Sequence, residues 1–276
     1  MLIIDKQTRG RHGNKVFHFN TLMQLGAILG QDVYTAPWDG YNTFEQTCPI
    51  LSPPPDTQEI PHGDLIYNSH EELREKYSTG NWRLHTLSLC GPYYRITQQD
   101  PREYLRLKAK YLTGITQTCV GIHIRGGDTR GADGMNCREI HEPSYYTKAI
   151  DHVIEECGPD IAFFLCTDDP DWGFPSYRET MEHLAKRKVL LYHDPNNHYM
   201  KDFCVLSECD VVIGGSSTFV LAAGMTGKPK KMIHSKDFVE QFKDEDQTWY
   251  SNFGNGMFFH DMNHIKSDFY NVWKLL

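Results

Sequence analysis

The sequence predicts an α/β protein built on parallel, doubly wound sheet, and three observations carry that expectation. Short apolar runs alternate with amphipathic segments four times within about a hundred residues, from TCVGIHIR at 118 to PKKMIH ending at 234. The chain opens on a strand–helix–strand pattern. Polar and charged residues stand directly behind the apolar runs, where a parallel sheet collects its loops.

In order, LII is a first strand, DKQTRGRHGN a loop, Lys15 to Leu29 a mostly buried helix ending at Gly30, and DVYTA a second strand. Trp38 to about Pro92 is poorly periodic, and SPPPDTQEIPHGD within it carries four prolines, so the stretch reads as long surface loops. PREYLRLKAKYL (101–112) reads as helix. Strand TCVGIHIR leads through a polar loop to a helix from Ser144, with Tyr146, Ala149, Ile150, Val153, Ile154 and Cys157 at helical spacing. Strand IAFFLCT, a helix around Arg178 to Lys186, strand KVLLYHD, a helix from Asp202, strand DVVIGG, a helix opened by Ser216-Ser217-Thr218 and strand PKKMIH complete the alternation. The expected domains are residues 1–112, 113–234 and an aromatic-rich closing segment, 235–276.

With 39% hydrophobic and 23% charged residues the chain is globular, and its net charge of −8 argues against a nucleic-acid partner. Eight cysteines with no CxxC pair point to small core residues rather than a disulfide framework or a structural zinc site. No stretch approaches the ~20 apolar residues of a membrane span, and MLIID runs at once into charges, so the expected compartment is the cytoplasm.

Five polar groups fall behind strands: Arg9 to Asn14; His123, Arg125 and Asp128; Asp168 and Asp169; His193 and Asp194; Ser216, Ser217 and Thr218. An arginine at a strand end offers two parallel donors to a phosphate and stays charged at any working pH. The following glycines let an anion approach the backbone, and a Ser-Ser-Thr helix start adds hydroxyl and N–H donors. The bland reading is that Arg125 pairs with Asp128 or Asp168 and that Ser216 or Ser217 is an N-cap. Several such groups on one rim favour a diphosphate site that needs no metal.

Four ordered pieces, GRHGNKVFHFNTLMQLGAILG, HIRGGD, FFLCTDDPDW and KDFCVLSECDVVIGGSSTFVLAAGM, resemble the motif set of the α-1,2-fucosyltransferases and protein O-fucosyltransferases. The resemblance implies a GT-B fold, two Rossmann-like domains facing across a cleft, and inverting, metal-independent transfer from a nucleotide diphosphate sugar, GDP-fucose in that superfamily, to a glycan hydroxyl. The nucleotide sugar is a co-substrate and no cofactor is implied. It assigns Arg125 to the leaving diphosphate and Gly13, Asn14, His123, Asp168, Asp169, Ser216, Ser217 and Thr218 to the donor's surroundings, and Asp194 is added to them from its place behind a strand. The sequence departs from the pattern at Gly126, where the superfamily has a second arginine, and at Lys15, so a UDP-sugar such as UDP-xylose is the alternative donor. The general base is open among Asp128, Asp133, Glu139 and His12, with Asp128 nearest the motif. Three rivals remain: a metal-dependent transferase using Asp169-Pro170-Asp171, a non-catalytic glycan or nucleotide binder using aromatics such as Trp38 and Trp82, and a hydrolase using His123.

Overall fold

The structure is a computed structural model and describes residues 1–4, 11–45, 48–84, 101–126, 142–215, 217–227 and 229–233. The described residues divide into two compact units, 1–108 and 109–233. None of their helices is long and apolar enough to cross a membrane.

The first unit has a four-stranded parallel sheet in the order β2-β1-β4-β3, from β1 (Leu2–Ile4), β2 (Val33–Thr35), β3 (Gln58–Ile60) and β4 (Trp82–Leu84). Its long helix α1 (His12–Leu29) buries 14 of its 18 residues and stops at Gly30, whose φ of 64° suits glycine. Polar residues on α1 are buried because they find partners. The Tyr104 hydroxyl donates to Asn20 Oδ1 and accepts from Gln24 Nε2, both at 2.5 Å, and Thr21 Oγ1 donates to the Phe17 carbonyl at 3.0 Å. Burial also lowers the pKa of His18 to about 4, which keeps the ring neutral inside the unit.

Three expectations change here. α1 begins at His12 rather than Lys15, because the Lys15 N–H already bonds the Arg11 carbonyl at 3.3 Å. The supposed loops of 38–92 supply β3, β4, two short helices, α2 (Gly40–Thr43) and α3 (His62–Tyr67), and the helix α4 (His70–Tyr77). A three-residue strand is too short to show a period, and the prolines flank β3, which lies at the sheet edge where their missing donors cost nothing. α4 starts with a capping box in which Ser69 and Glu72 exchange backbone and side-chain bonds of 2.6 and 3.2 Å.

Residues 101–112 form only a 3₁₀ turn, Pro101–Glu103. The backbone beyond it pairs with 43–45 instead of with itself: Glu45 N–H bonds Arg106 O and Lys108 N–H bonds Thr43 O, at 2.8 and 2.9 Å. With Tyr104 and Leu105 buried, tertiary partners outcompete a helix of good intrinsic propensity.

The second unit follows the expected alternation: β5 (Thr118–Ile124), α5 (Pro143–Cys157), β6 (Ile161–Thr167), α6 (Pro175–Arg187), β7 (Leu190–His193), α7 (Tyr199–Glu208), β8 (Val211–Gly214), α8 (Thr218–Gly227) and β9 (Lys231–Ile233). The sheet is parallel in the order β7-β6-β5-β8-β9. Val120, Ile122 and Ile124 on β5 face Tyr146, Ala149, Ile150 and Val153 of α5 and Leu184 of α6. The alternate residues face α7 and α8, so helices cover both faces. Cys157 is exposed rather than part of the apolar stripe.

α7 and α8 pack closely because glycines permit it. A Cβ on Gly227 would lie 1.5 Å from the Ser207 carbonyl oxygen of α7, and one on Gly214 would lie 2.4 Å from Val220 Cγ1 of α8. Gly227→Ala therefore has to push two helices apart, and urea denaturation is expected to show a loss of about 3 kcal/mol. Unchanged stability would mean that the helices do not meet at that distance.

Candidate functional site

Strand order in the second sheet reverses between β5 and β8: β6 and β7 extend to one side of β5, β8 and β9 to the other. Such a switch point leaves a crevice behind the two strands where no crossover helix covers the strand ends, and ligands of open α/β sheets settle there. His123 lies one residue before the end of β5 at Ile124 and Arg125 follows directly behind it; Gly214 ends β8 and leads into the turn before α8.

Strand alternation directs His123 and Arg125 toward the α7/α8 side, along with Gly121, where a Cβ would meet Leu206 and Cys209 of α7. The His123 ring is buried and sits 5.2 Å from that of Phe219 on α8. Arg125 is half-buried. On the neighbouring strand, Thr167 is in register with Ile124, so Asp168 and Asp169 follow level with Arg125 and Gly126. The Gly126 N–H donates to Asp168 Oδ1 at 2.8 Å, tying the two strand ends together.

Gly126, which stands where the resembling motif has arginine, has a steric reason. A Cβ there would lie 2.5 Å from Asp169 Cβ and 2.8 Å from its Oδ2. The Asp169 side chain occupies the space a second arginine would start from, and its own N–H is held by Thr167 Oγ1 at 3.1 Å. Asp171 closes its own turn, Oδ1 accepting from the Gly173 N–H at 2.8 Å.

Ser217 is the N-cap of α8: its Oγ accepts from the Phe219 N–H at 3.3 Å, and its N–H bonds Gly215 O at 2.7 Å. Capping uses one lone pair and leaves the hydroxyl proton to donate elsewhere. Thr218 is the first residue of α8. Asp128, Asp133, Glu139 and Ser216 lie outside the described residues. Asp194 is exposed behind the edge strand β7, where Oδ1 accepts from the Asn196 N–H at 3.0 Å; β6 separates it from the switch-point strands.

His12, Gly13 and Asn14 come together in the first unit, in the opening turn of α1. His12 is buried, its ring 6.2 Å from Trp38 and 6.3 Å from Phe44, and its Nδ1 lies 3.3 Å from Asp39 Oδ2. Lys15 Nζ approaches the other Asp39 oxygen at 3.4 Å. A carboxylate beside Nδ1 favours the proton there and makes Nε2 the basic nitrogen.

Sequence reasoning missed Asp202. It lies on α7 but is buried, with Oδ1 accepting from Asn197 Nδ2 at 2.9 Å. Burial raises its pKa from 3.8 to about 6, against the opposing pull of Asn197, Cys166, His193 and Lys201. Cys166, the neighbour of Asp202, is in register with His123, so this carboxyl belongs to the same end of the same face. The available signal was an aspartate beside Phe203 among core positions of an amphipathic helix. The thiols nearby are inert: burial pushes Cys166 and Cys209 well above the ordinary value and Cys204 to about 12.

Two Rossmann-like α/β units, the second with a loaded switch point, make up a GT-B fold. In solved structures the chain is similar to POFUT1, a protein O-fucosyltransferase, in complex with GDP-fucose: the TM-score is 0.56 at 12% identity, over 84% of this chain and 97% of that one. Against POFUT1 in complex with GDP it is 0.54 at 12% identity over the same shares, and 0.53 at 13% over 84% and 98% in another crystal form. Identity this low makes the likeness one of fold. The sequence matches no protein-family model and no curated protein.

The raised pKa of Asp202 has a sign that can be measured. Between pH 3.8 and about 6 the native state holds this proton more tightly than the unfolded chain, so stability falls as pH rises through that window and stays lower above it. The penalty at neutral pH is about 3 kcal/mol. Asp202→Asn keeps an acceptor for Asn197 and removes the charge. Its unfolding free energy relative to the wild type is expected to improve by about that amount between pH 4 and pH 7. A difference independent of pH would place the titration elsewhere.

Proposed function

We propose that this protein is a glycosyltransferase that moves a sugar from a nucleotide diphosphate sugar to a glycan hydroxyl, with inversion and without a metal. The observation that carries the reading is the switch point: Arg125 follows directly behind one flanking strand, and the capped N-terminus of α8 follows the other. A guanidinium and a helix N-terminus on either side of one crevice suit a diphosphate, whose charge they share without a cation.

In the reaction the acceptor oxygen attacks the sugar's C1 as the C1–O bond to the β-phosphate breaks. The electron pair leaves with the diphosphate, and the acceptor proton passes to a base. Arg125 stabilises the charge that grows on the leaving phosphate, in a site where it is already oriented. The base is Asp128 or His12, Asp128 being the nearer in sequence to the strand-end arginine. Asp171, the second carboxylate of Asp169-Pro170-Asp171, is engaged with its own turn, which supports the metal-independent reading.

GDP-fucose is the donor we favour. The fold is similar to POFUT1 in complexes with GDP and GDP-fucose. Asp202 adds a chemical argument, because guanine presents an adjacent ring N–H and amino group to a carboxylate, whereas uracil presents one N–H between two carbonyls. Gly126 and Asp169 argue the other way, since the second arginine has no space, and UDP is therefore the comparison ligand.

Thermal-shift titration with GDP, UDP and their sugar conjugates tests the donor. GDP at a hundred times its Kd is expected to stabilise the fold by about 2.7 kcal/mol. A response to UDP alone discards fucose. Arg125→Ala is expected to abolish this response and, in a transfer assay run in excess EDTA, to lower kcat by roughly 10²–10³. Transfer that stops when EDTA is added to the wild type would overturn metal independence.

A further inference from the structure

Two consecutive tyrosines at the start of α5 reach the strand ends that form the switch point. The Tyr145 hydroxyl lies 2.9 Å from the Gly214 carbonyl and 2.9 Å from the Ile233 carbonyl, the last residues of β8 and β9. The Tyr146 hydroxyl lies 3.5 Å from the His123 carbonyl on β5. The rings meet edge to face at 5.0 Å, so each limits the motion of the other.

The arrangement matters because of what surrounds Gly214. Residues 214 and 215 are both glycine, so the end of β8 brings no side chain of its own to the turn, and Val220 leaves no room for one at 214. The backbone carbonyl of Gly214 is the remaining handle, and it lies three positions before the capping Ser217. α5 packs on the face of the sheet opposite α7 and α8, so the Tyr145 hydroxyl crosses the strand ends to reach a turn that belongs to the other layer. A hydroxyl has one proton, which two carbonyls share here, and Tyr145 is half-buried against the core face of α5.

We propose that Tyr145 is a positioning residue for the phosphate-binding turn between β8 and α8, holding the Gly214 carbonyl so that the backbone entering α8 is aimed at the diphosphate. The inference rests on the reading of the switch point as a nucleotide diphosphate site. It goes beyond that reading in making one hydroxyl outside the site a determinant of phosphate affinity but not of nucleoside affinity.

The test is calorimetric titration of GDP and of guanosine into the wild type and Tyr145→Phe. Loss of the hydroxyl is expected to weaken GDP roughly threefold to tenfold, the range of one hydrogen bond, and to leave guanosine unchanged. The loss is also expected to be non-additive with that of Ser217→Ala, since both act on one turn. Tyr145→4-aminophenylalanine retains a donor, should fold like the wild type, and is expected to restore GDP affinity. Equal weakening of GDP and guanosine would make Tyr145 merely structural and overturn the inference, as would unchanged GDP affinity in Tyr145→Phe. A wild type that binds none of GDP, UDP and their nucleosides overturns the site reading itself, and the inference with it; where UDP alone binds, UDP and uridine take the places of GDP and guanosine in the same comparison.

Discussion

The absence of room for a side chain at Gly214 and Gly227 is the constraint on which the second unit depends. Gly227 lets α8 lie against the Ser207 backbone of α7, and Gly214 lets Val220 of α8 descend onto the end of β8. The N-terminus of α8 thereby comes down level with the strand ends, beside His123, whose ring meets Phe219. Lifting α8 by the width of a methyl group would carry its N–H donors and its capping serine away from Arg125's strand. The field of a helix N-terminus acts only at short range, so the packing of the far end of α8 sets where the near end acts.

Asp168, Asp169 and Gly126 form a second fixed contact on the same rim. One carboxylate accepts the Gly126 N–H, and the other fills the space above Gly126. Gly126, which follows Arg125, is thus held through its N–H, and the space a side chain would take there belongs to Asp169.

Legibility followed the length and regularity of each element. In the second unit β5 and β6 have seven residues each and the helices ten to fifteen, so alternation, parallel pairing and the positions of His123, Arg125, Asp168 and Asp169 at or just behind the strand ends could be read directly. In the first unit every strand has three residues, fewer than one can test for a period, and β3 sits among prolines that argue against it. PREYLRLKAKYL has the composition of a helix, yet Tyr104 is drawn into α1 by Asn20 and Gln24 and the next residues pair with 43–45. Asp202 was hidden for the opposite reason: an aspartate in an amphipathic helix looks solvated until the burial of that turn is known.

The sequence by itself determined the fold class, the parallel order of events along the second unit, and the residue types that gather behind its strands. These depend on periodicity and on which residues follow an apolar run, both local properties. Only the tertiary structure decided that β5 and β8 are neighbours, that Gly126 is glycine because Asp169 stands over it, and that Asp202 and Tyr145 reach the same rim. Each of those facts joins residues separated by 42 to 91 positions or set by the packing of one helix on another, and no local pattern encodes such a distance.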